Sequence, residues 1–424
     1  MLDIKFIRDN KEIIALGAKK KHLNFKVDDL IKADDERRKL MTSLEAKRAE
    51  QNLVSAKIPT ASVEEKASLL VAMKEVKESA QKEEEKLKEV MKKWQTLMLA
   101  VPNVPDMSVP EGETDKENVE IKTHGTIPVF DFDPKSHIEL MEKLGMADFE
   151  KGVEVAGFRG YFLKGDGARL NFALWQFVLD HFATKADFEP MLVPSLVRKD
   201  TLLGTGYLPQ GEDDLYKTQD NDYLAGTAEV ATMSYFAETT LAKADLPKKV
   251  LAFSPSFRRE AGSHSKDTKG LKRVHEFFKF EQVILCEASH QVSVEQHEAL
   301  LVNAEELLQR LNLPYHVVVN CGGDLGLGQV KKYDVETWVP SQRAWCETHS
   351  CSYFHDFQTR RLNIRYKDTD GKIRFAHSLN NTALATPRIL ISLIENNQQK
   401  DGSIYIPEAL QKYMGKAVIG PAKR

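Results

Sequence analysis

Four cysteines in 424 residues are too few for a disulfide framework and point to a reducing compartment. The densest apolar run, Ile389–Ile394, is six residues long, far short of the ~20 that a bilayer span requires. The first residues, MLDIKFIRDNKEII, carry a charge every few positions, with none of the apolar stretch that a signal peptide needs. The net charge is only −3, from 60 Lys+Arg and 63 Asp+Glu. Any nucleic-acid contact must therefore come from local basic patches. A P-loop is excluded, because no G-x-x-x-x-G-K followed by Ser or Thr occurs. These absences leave a cytoplasmic, soluble protein with no membrane partner as the expectation. With 42% hydrophobic residues it can bury a sizeable core, and its length suits two or three domains.

Glycine is missing altogether between Asp28 and Leu99, and Pro59 is the only proline there. Strong helix formers fill both sides of that proline. After it, apolar residues fall at Leu69, Met73, Val76, Ala80, Leu87, Val90, Trp94 and Leu97. Steps of three and four with one gap of seven make a heptad seam. Before it the pattern is looser: Leu30, Leu40, Leu44, Leu53 or Val54, and Ile58. Ser62 with Glu65 reads as a capping box that restarts the helix. The spacing predicts an antiparallel coiled-coil hairpin whose arm is roughly 45–55 Å long. Residues 26–100 hold 16 Lys+Arg and 15 Asp+Glu, so most of this charge reads as a solvated face. Arg37, Arg38, Lys39, Lys47 and Arg48 are the candidates for phosphate contact.

The Pro-rich acidic stretch 101–118 reads as a linker. Beyond it, β-rich runs (250–253, 282–285, 316–319, 363–366) mix with amphipathic helical stretches (170–184, 228–243, 293–311, 387–396). Several strands follow one another without crossover helices. The expected fold is therefore α+β, with a mainly antiparallel sheet flanked by helices. The glycine run CGGDLGLG (321–328) is not followed by the apolar helix of a dinucleotide fold, so it reads as a turn between strands. Cys346, His349 and Cys351 lack the second ligand pair of a structural zinc site, and no zinc is expected.

Three segments carry chemistry. The first is Phe257-Arg258-Arg259-Glu260, a basic loop with His264, Lys266, Lys269, Lys272, Arg273 and His275, and then FFKFE ending at Glu281. A guanidinium held rigidly by strands suits phosphate or carboxylate. In the second, Glu347 and Ser350 offer a carboxylate and a hydroxyl that could hold magnesium. The third runs from Leu379 to Arg388 and places an arginine at the start of an apolar helix. There it opposes the helix dipole unless an anion is bound.

In these segments the chain resembles the class II aminoacyl-tRNA synthetases, and among them the bacterial-type seryl-tRNA synthetases. FRRE with Phe277 and Glu281 is similar to motif 2, Thr382–Arg388 to motif 3, and Phe188–Pro194 to the motif 1 strand, with Asp187 where glycine is usual. Thr227-Ala228-Glu229, ETHSCS, DFQTRR and the helical arm complete the likeness. The resemblance implies ATP-dependent activation of serine to seryl-adenylate, then transfer to serine tRNA and, where one exists, selenocysteine tRNA. It assigns serine binding to Thr227, Ala228, Glu229, Arg258, Glu281, Asn380 and Thr382. It assigns ATP binding to Arg258, Arg259, Glu260, Val274, Glu347, Thr348, His349, Ser350 and Arg388, with Mg²⁺ on Glu347 and Ser350. It further implies a homodimer, a tRNA-binding domain over 1–110 and a catalytic domain over 111–424. Two positions depart from the family pattern: Asn381-Thr382 replaces a common Gly-Ser, and His349 stands where a small hydroxyl residue is common. The alternatives are a synthetase-like ligase that loads a carrier protein and a non-catalytic coiled-coil paralogue. The long arm argues against the first, and the retained arginines and acids argue against the second.

Overall fold

The glycine-free stretch forms two long helices, α1 (Val27–Lys57) and α2 (Val63–Leu99), joined by a 3-10 turn at Ile58–Thr60 that contains Pro59. The computed structural model describes residues 1–185, 187–262 and 269–420. By contacts the chain divides into two units, one of Met1–Lys19 and Leu23–Val104, the other of Lys20–His22 and Pro105–Arg424. In α2 every seam position from Leu69 to Leu97 is buried or half-buried. The gap of seven between Ala80 and Leu87 is occupied by half-buried Glu83, whose carboxylate meets Lys47 of α1 at 2.9 Å. An ionic pair inside a seam favours one register over its neighbours. In α1, Leu40 and Leu44 are buried and Val54, rather than the 65% exposed Leu53, enters the seam. Arg37 also serves the seam, lying 4.7 Å over the Trp94 ring while Asp34 pairs with it. Ser62 and Glu65 make the reciprocal hydrogen bonds of a capping box. The first unit's core joins Ile7 and Ile14 to Val27, Leu30, Ile31, Met98 and Val101.

The second unit is built on an eight-stranded sheet. Its strands are β1 (Val119–His124), β2 (Phe188–Leu192), β3 (Lys248–Phe257), β4 (Glu276–Cys286), β5 (Tyr315–Val319), β6 (Lys331–Val339), β7 (Ala344–His355) and β8 (His377–Thr386). They lie in the order β1-β5-β6-β7-β8-β4-β3-β2, and every pairing is antiparallel except β2 on β3. One face is covered by α3 (Asp166–Ala183), α5 (His290–Arg310) and α7 (Arg388–Asn396) around the main hydrophobic core. Over β3 and β4 the other face packs on α4 (Ala228–Tyr235) and α6 (Phe357–Leu362). In β4 the alternation is strict: Phe280 and Ile284 enter the main core, and Val283 and Leu285 the second. Lys279 and Glu281 therefore share the second face.

Two irregularities decide which side chains meet there. In β7, His349 opposes Val335 and Glu347 opposes Glu336, which leaves Thr348 as an extra residue. In β8, Leu384 opposes Phe280 and Thr382 opposes Glu281, which leaves Ala383 extra. Each bulge reverses the in–out alternation beyond it.

Two expectations need correction. The helix expected over 228–243 stops at Tyr235; Glu238 then adopts φ +58°, and Thr240–Ala242 pairs in parallel with Arg365–Lys367. The expected linker 101–118 is docked from Pro105 onward. Asp106 donates its N–H to the Val330 carbonyl and accepts from the Tyr353 hydroxyl at 2.9 Å, and Gly322 donates to the Pro110 carbonyl.

The seam pair gives a test of the arm. Lys47→Leu leaves Glu83 at the seam without its cation and should weaken the arm. Adding Glu83→Leu should restore at least the original stability. Hydrogen exchange of the arm amides measures both; a double variant as weak as the sum of the singles would show that the pair is not coupled.

Candidate active site

Two connected hollows open on the second face of the sheet. The first, of about 90 Å³, is lined by Arg258, Glu260, Lys272, Val274, Phe277, Glu347, Ser350, Thr382 and Arg388 among others. The second, of about 340 Å³, is lined by Tyr207, Glu229, Glu281, Gln358, Asn380 and the loop Gly326–Gln329 among others. Arg258, Lys279, Ser350 and Thr382 belong to both and mark the junction.

The second hollow holds two buried acids. Glu229 sits in the first turn of α4, which Thr227 caps by accepting the Glu229 N–H. Its carboxylate accepts from the Tyr207 hydroxyl at 2.9 Å and from Gln358 Nε2 at 2.6 Å. The Ser378 hydroxyl donates to Gln358 Oε1 and fixes that amide's orientation. Glu281 is ion-paired with Lys279. Burial pushes both carboxyl pKa values above the ordinary range; Gln358 and Tyr207 hold Glu229 down in part, and Lys279, Arg258 and Thr227 do so for Glu281. Two buried acids therefore share one hollow with two cations, Lys279 and Arg258.

The first hollow is framed by carbonyls and cations. Arg258 packs 5.3 Å over the Phe277 ring and reaches the Gly226 carbonyl at 3.4 Å. At the start of α7, Arg388 donates to the Lys272 carbonyl at 3.1 Å and the Glu347 carbonyl at 3.0 Å. Glu260 takes φ +53° and accepts from Arg273 at 2.9 Å. A non-glycine residue in the left-handed region is uncommon and is characteristic of functional loops. Glu347 and Ser350 lie three apart, a spacing that a regular strand would split between faces. The extra residue Thr348 returns both to the hollow.

Similarity to known proteins decides the family. Residues 1–105 match the model for the seryl-tRNA synthetase N-terminal domain, and residues 213–397 match the class II tRNA synthetase core domain (G, H, P, S and T). A serine–tRNA ligase of Deinococcus radiodurans is 44% identical over 100% of both chains. One from Caldicellulosiruptor saccharolyticus is 42% identical over 99% of this chain and 100% of its own. The seryl-tRNA synthetase of Pyrococcus horikoshii, solved with ATP, superposes with TM-score 0.91 at 37% identity, covering 100% of both chains. This chain belongs to the seryl-tRNA synthetase family.

For a seryl-tRNA synthetase, the structure gathers most of the residues singled out in the sequence. Arg258, Glu260, Val274, Glu347, Thr348, Ser350, Thr382 and Arg388 line the first hollow, and Glu229, Glu281, Asn380 and Thr382 the second. Four sit elsewhere. Thr227 is buried at the cap of α4, outside both linings. Arg259 is exposed and donates to the Asp213 carbonyl at 3.1 Å. Ala228 is buried in α4, outside both linings. His349, placed with the ATP ligands from the sequence, is buried beneath the sheet, with Nε2 donating to the Ala383 carbonyl at 3.1 Å. The reason is the same bulge: it brings Ser350 outward and turns His349 to the core side. His264 and Lys266 lie outside the described residues. On the arm, Arg37, Lys47 and Arg48 are engaged in ion pairs with Asp34, Glu83 and Glu84, whereas Arg38 and Lys39 are exposed.

Sequence reasoning missed Lys279, although its alternation with Glu281 and Phe277 was visible. It also missed Tyr207, and gave Gln358 no role although it quoted DFQTRR; their contacts to Glu229 span 22 and 129 positions. The Lys279–Glu281 pair is testable. Lys279→Met leaves a buried carboxylate unpaired and should cost about 3 kcal/mol in urea unfolding. Lys279→Met with Glu281→Leu should recover most of that loss; no recovery would mean that Lys279 stabilises through packing alone.

Proposed function

We infer that this chain is a serine–tRNA ligase, joining serine and ATP into seryl-adenylate and pyrophosphate before passing the seryl group to serine tRNA. The observation that carries this reading is the charge pattern at the junction: acids Glu229 and Glu281 on one side, Arg258 and Lys279 between the hollows. A free amino acid is a zwitterion. Its ammonium and hydroxyl match the acids, and its carboxylate matches Arg258, which also faces the nucleotide side. The serine carboxylate attacks the α-phosphorus and pyrophosphate leaves. Arg258 offsets the charge that grows on the phosphoryl oxygens, and Arg388 takes the γ-phosphate. Lys279, Arg258 and Thr227 favour the ionised form of Glu281 against its burial, while Tyr207 and Gln358 aim Glu229. The protein supplies position and charge rather than a nucleophile.

Glu347 and Ser350 suit Mg²⁺, since the bulge turns a carboxylate and a hydroxyl into the same hollow beside the phosphate-seeking arginines. When bound, the ion would neutralise polyphosphate charge. Residues 111–424 take the catalytic role, and residues 1–110 the tRNA role. The arm reads RNA shape and backbone through its exposed cations, Arg38 and Lys39 foremost. Selenocysteine tRNA, where present, would use the same arm, and the cytoplasm is the expected setting. A homodimer is supported by the outer strand β2, where Leu192 is 79% exposed. A separate apolar hollow of about 480 Å³, lined by Phe158, Phe162, Phe172 and Trp175, supports it too. An unpaired edge and a large apolar patch both call for a partner, here a second copy.

ATP–pyrophosphate exchange without tRNA, run with each of the twenty amino acids, tests the reading. Serine alone should drive exchange, preferred over alanine by roughly 10⁴, because alanine leaves the buried polar groups unpaired. Arg258→Ala should abolish exchange with the fold intact; normal turnover in that variant would refute its role. Deleting residues 28–99 should spare exchange and cripple tRNA charging, and intact charging would deny the arm its function. The raised carboxyl pKa values set a pH dependence. A raised acid takes up its proton at a higher pH than an ordinary carboxylate, and the neutral form no longer holds an ammonium. The serine KM should therefore rise as pH falls, starting above the usual carboxylate range, while the ATP KM moves less. Equal movement of both would place the titration elsewhere.

A further inference from the structure

The glycine run 321–328 has no role in the reading so far, yet its end forms a wall of the larger hollow. It lies close against a distant piece of chain. A Cβ on Gly322 would stand 2.0 Å from the Lys20 carbonyl oxygen, and one on Gly323 would stand 2.4 Å from that of Glu113. Glycine is required here for backbone-to-backbone approach. The segment it meets, Lys20–His22, groups with the second unit, although Lys19 and Leu23 on either side group with the first.

Within that segment Lys21 is 2% exposed. Its Nζ donates to three backbone carbonyls of the loop, Gly326 at 2.9 Å, Leu327 at 2.9 Å and Gln329 at 2.6 Å. Among the described residues no carboxylate pairs with it. Burial pushes the Lys21 pKa well down, and three carbonyl acceptors, one for each hydrogen of an ammonium, oppose that by stabilising the charged form and tie the loop together. The next contacts lead into the hollow. Gln329 Oε1 accepts the Gly326 N–H at 2.6 Å, and its Nε2 donates to Ser352 Oγ at 2.8 Å. Ser352 opposes Asn380 across the sheet, and both line the hollow.

We propose that Lys21 is a positioning residue for amino-acid binding: its ammonium ties the Gly326–Gln329 wall into one conformation, and that wall sets the width of the pocket around serine. The proposal rests on reading the hollow as the amino-acid site. Serine affinity thus depends on a residue some 300 positions away in sequence, whereas the nucleotide hollow, which none of these loop residues lines, does not.

The test is ATP–pyrophosphate exchange on the full chain, with serine and ATP varied separately. Lys21→Met keeps the length and apolar stem but removes the three donors. It should raise the serine KM tenfold or more and leave the ATP KM within twofold. Lys21→Ala should show the same split, and ethylammonium should restore serine affinity saturably. Tetramethylammonium at equal ionic strength has no hydrogen to donate and should not. A serine KM within twofold of the parent in folded Lys21→Met, equal rises in both KM values, or no difference between the two amines would overturn the proposal. Should the neutral variants fail to fold, Lys21→Arg keeps the charge but alters the donor geometry. A raised serine KM there supports the proposal, and an unchanged one overturns it. Failure of the underlying reading looks different: the parent protein itself would show no serine-dependent exchange.

Discussion

Two carboxylates held out of water are the constraint on which the catalytic unit depends. Each of Glu229 and Glu281 would revert to its neutral form, or unfold its surroundings, without compensating charge and hydrogen bonds. The surroundings are arranged accordingly. Lys279 and Arg258 arrive from the same hairpin as Glu281, and Tyr207 and Gln358 come from segments that pack beside α4. On the proposed reading, a site so charged is costly when empty and favourable when a zwitterion completes it, so selectivity and stability are two readings of one arrangement.

How much of this was legible from sequence follows from how far each interaction reaches. The arm was legible down to its capping box, because heptads and caps are local and period-bound. The polar seam position was visible as a gap of seven, but not its filling, since the identity of Lys47 as Glu83's partner depends on how two helices align. Arg258, Glu260, Glu281 and Arg388 were legible as residue types that a phosphate- and carboxylate-binding hairpin demands. Their neighbour Arg259, named with them, is exposed on the Asp213 carbonyl and lines neither hollow, because a motif of adjacent residues does not say which way each side chain faces. Lys279 could have been found by counting: residues two apart on a strand share a face. Tyr207 and Lys21 could not, because nothing near them in the chain announces a partner some 300 residues away for Lys21, or, for Tyr207, on a helix not yet placed.

The glycine run shows the same limit from the other side. Its composition was enough to reject a dinucleotide loop and to expect a turn between strands, which it is, joining β5 to β6. Composition could not show why glycine is needed there. The need comes from carbonyls of Lys20 and Glu113 lying within 2.0 and 2.4 Å of where Cβ atoms would stand. Chain flexibility, the usual reading of a glycine-rich segment, is the opposite of its state: it is packed on two sides and pinned by an ammonium.

The bulges at Thr348 and Ala383 carry the site's geometry, and a single side chain lies under both. His349 is fully buried; Nε2 donates to the Ala383 carbonyl, and Nδ1 lies 2.9 Å from Thr348 Oγ1. Burial pushes the imidazole down to about 4, so near neutrality it is uncharged, with one nitrogen donating and the other accepting. The accepting nitrogen faces the Thr348 hydroxyl, whose one hydrogen is shared with the Val335 carbonyl at 3.2 Å. One ring thereby joins the irregularity that presents Glu347 and Ser350 to the one that sets Thr382 opposite Glu281. His349, whose effect on the nucleotide pocket the sequence left open, is a brace between the strand that carries Glu347 and Ser350 and the strand that carries Thr382, built from the core.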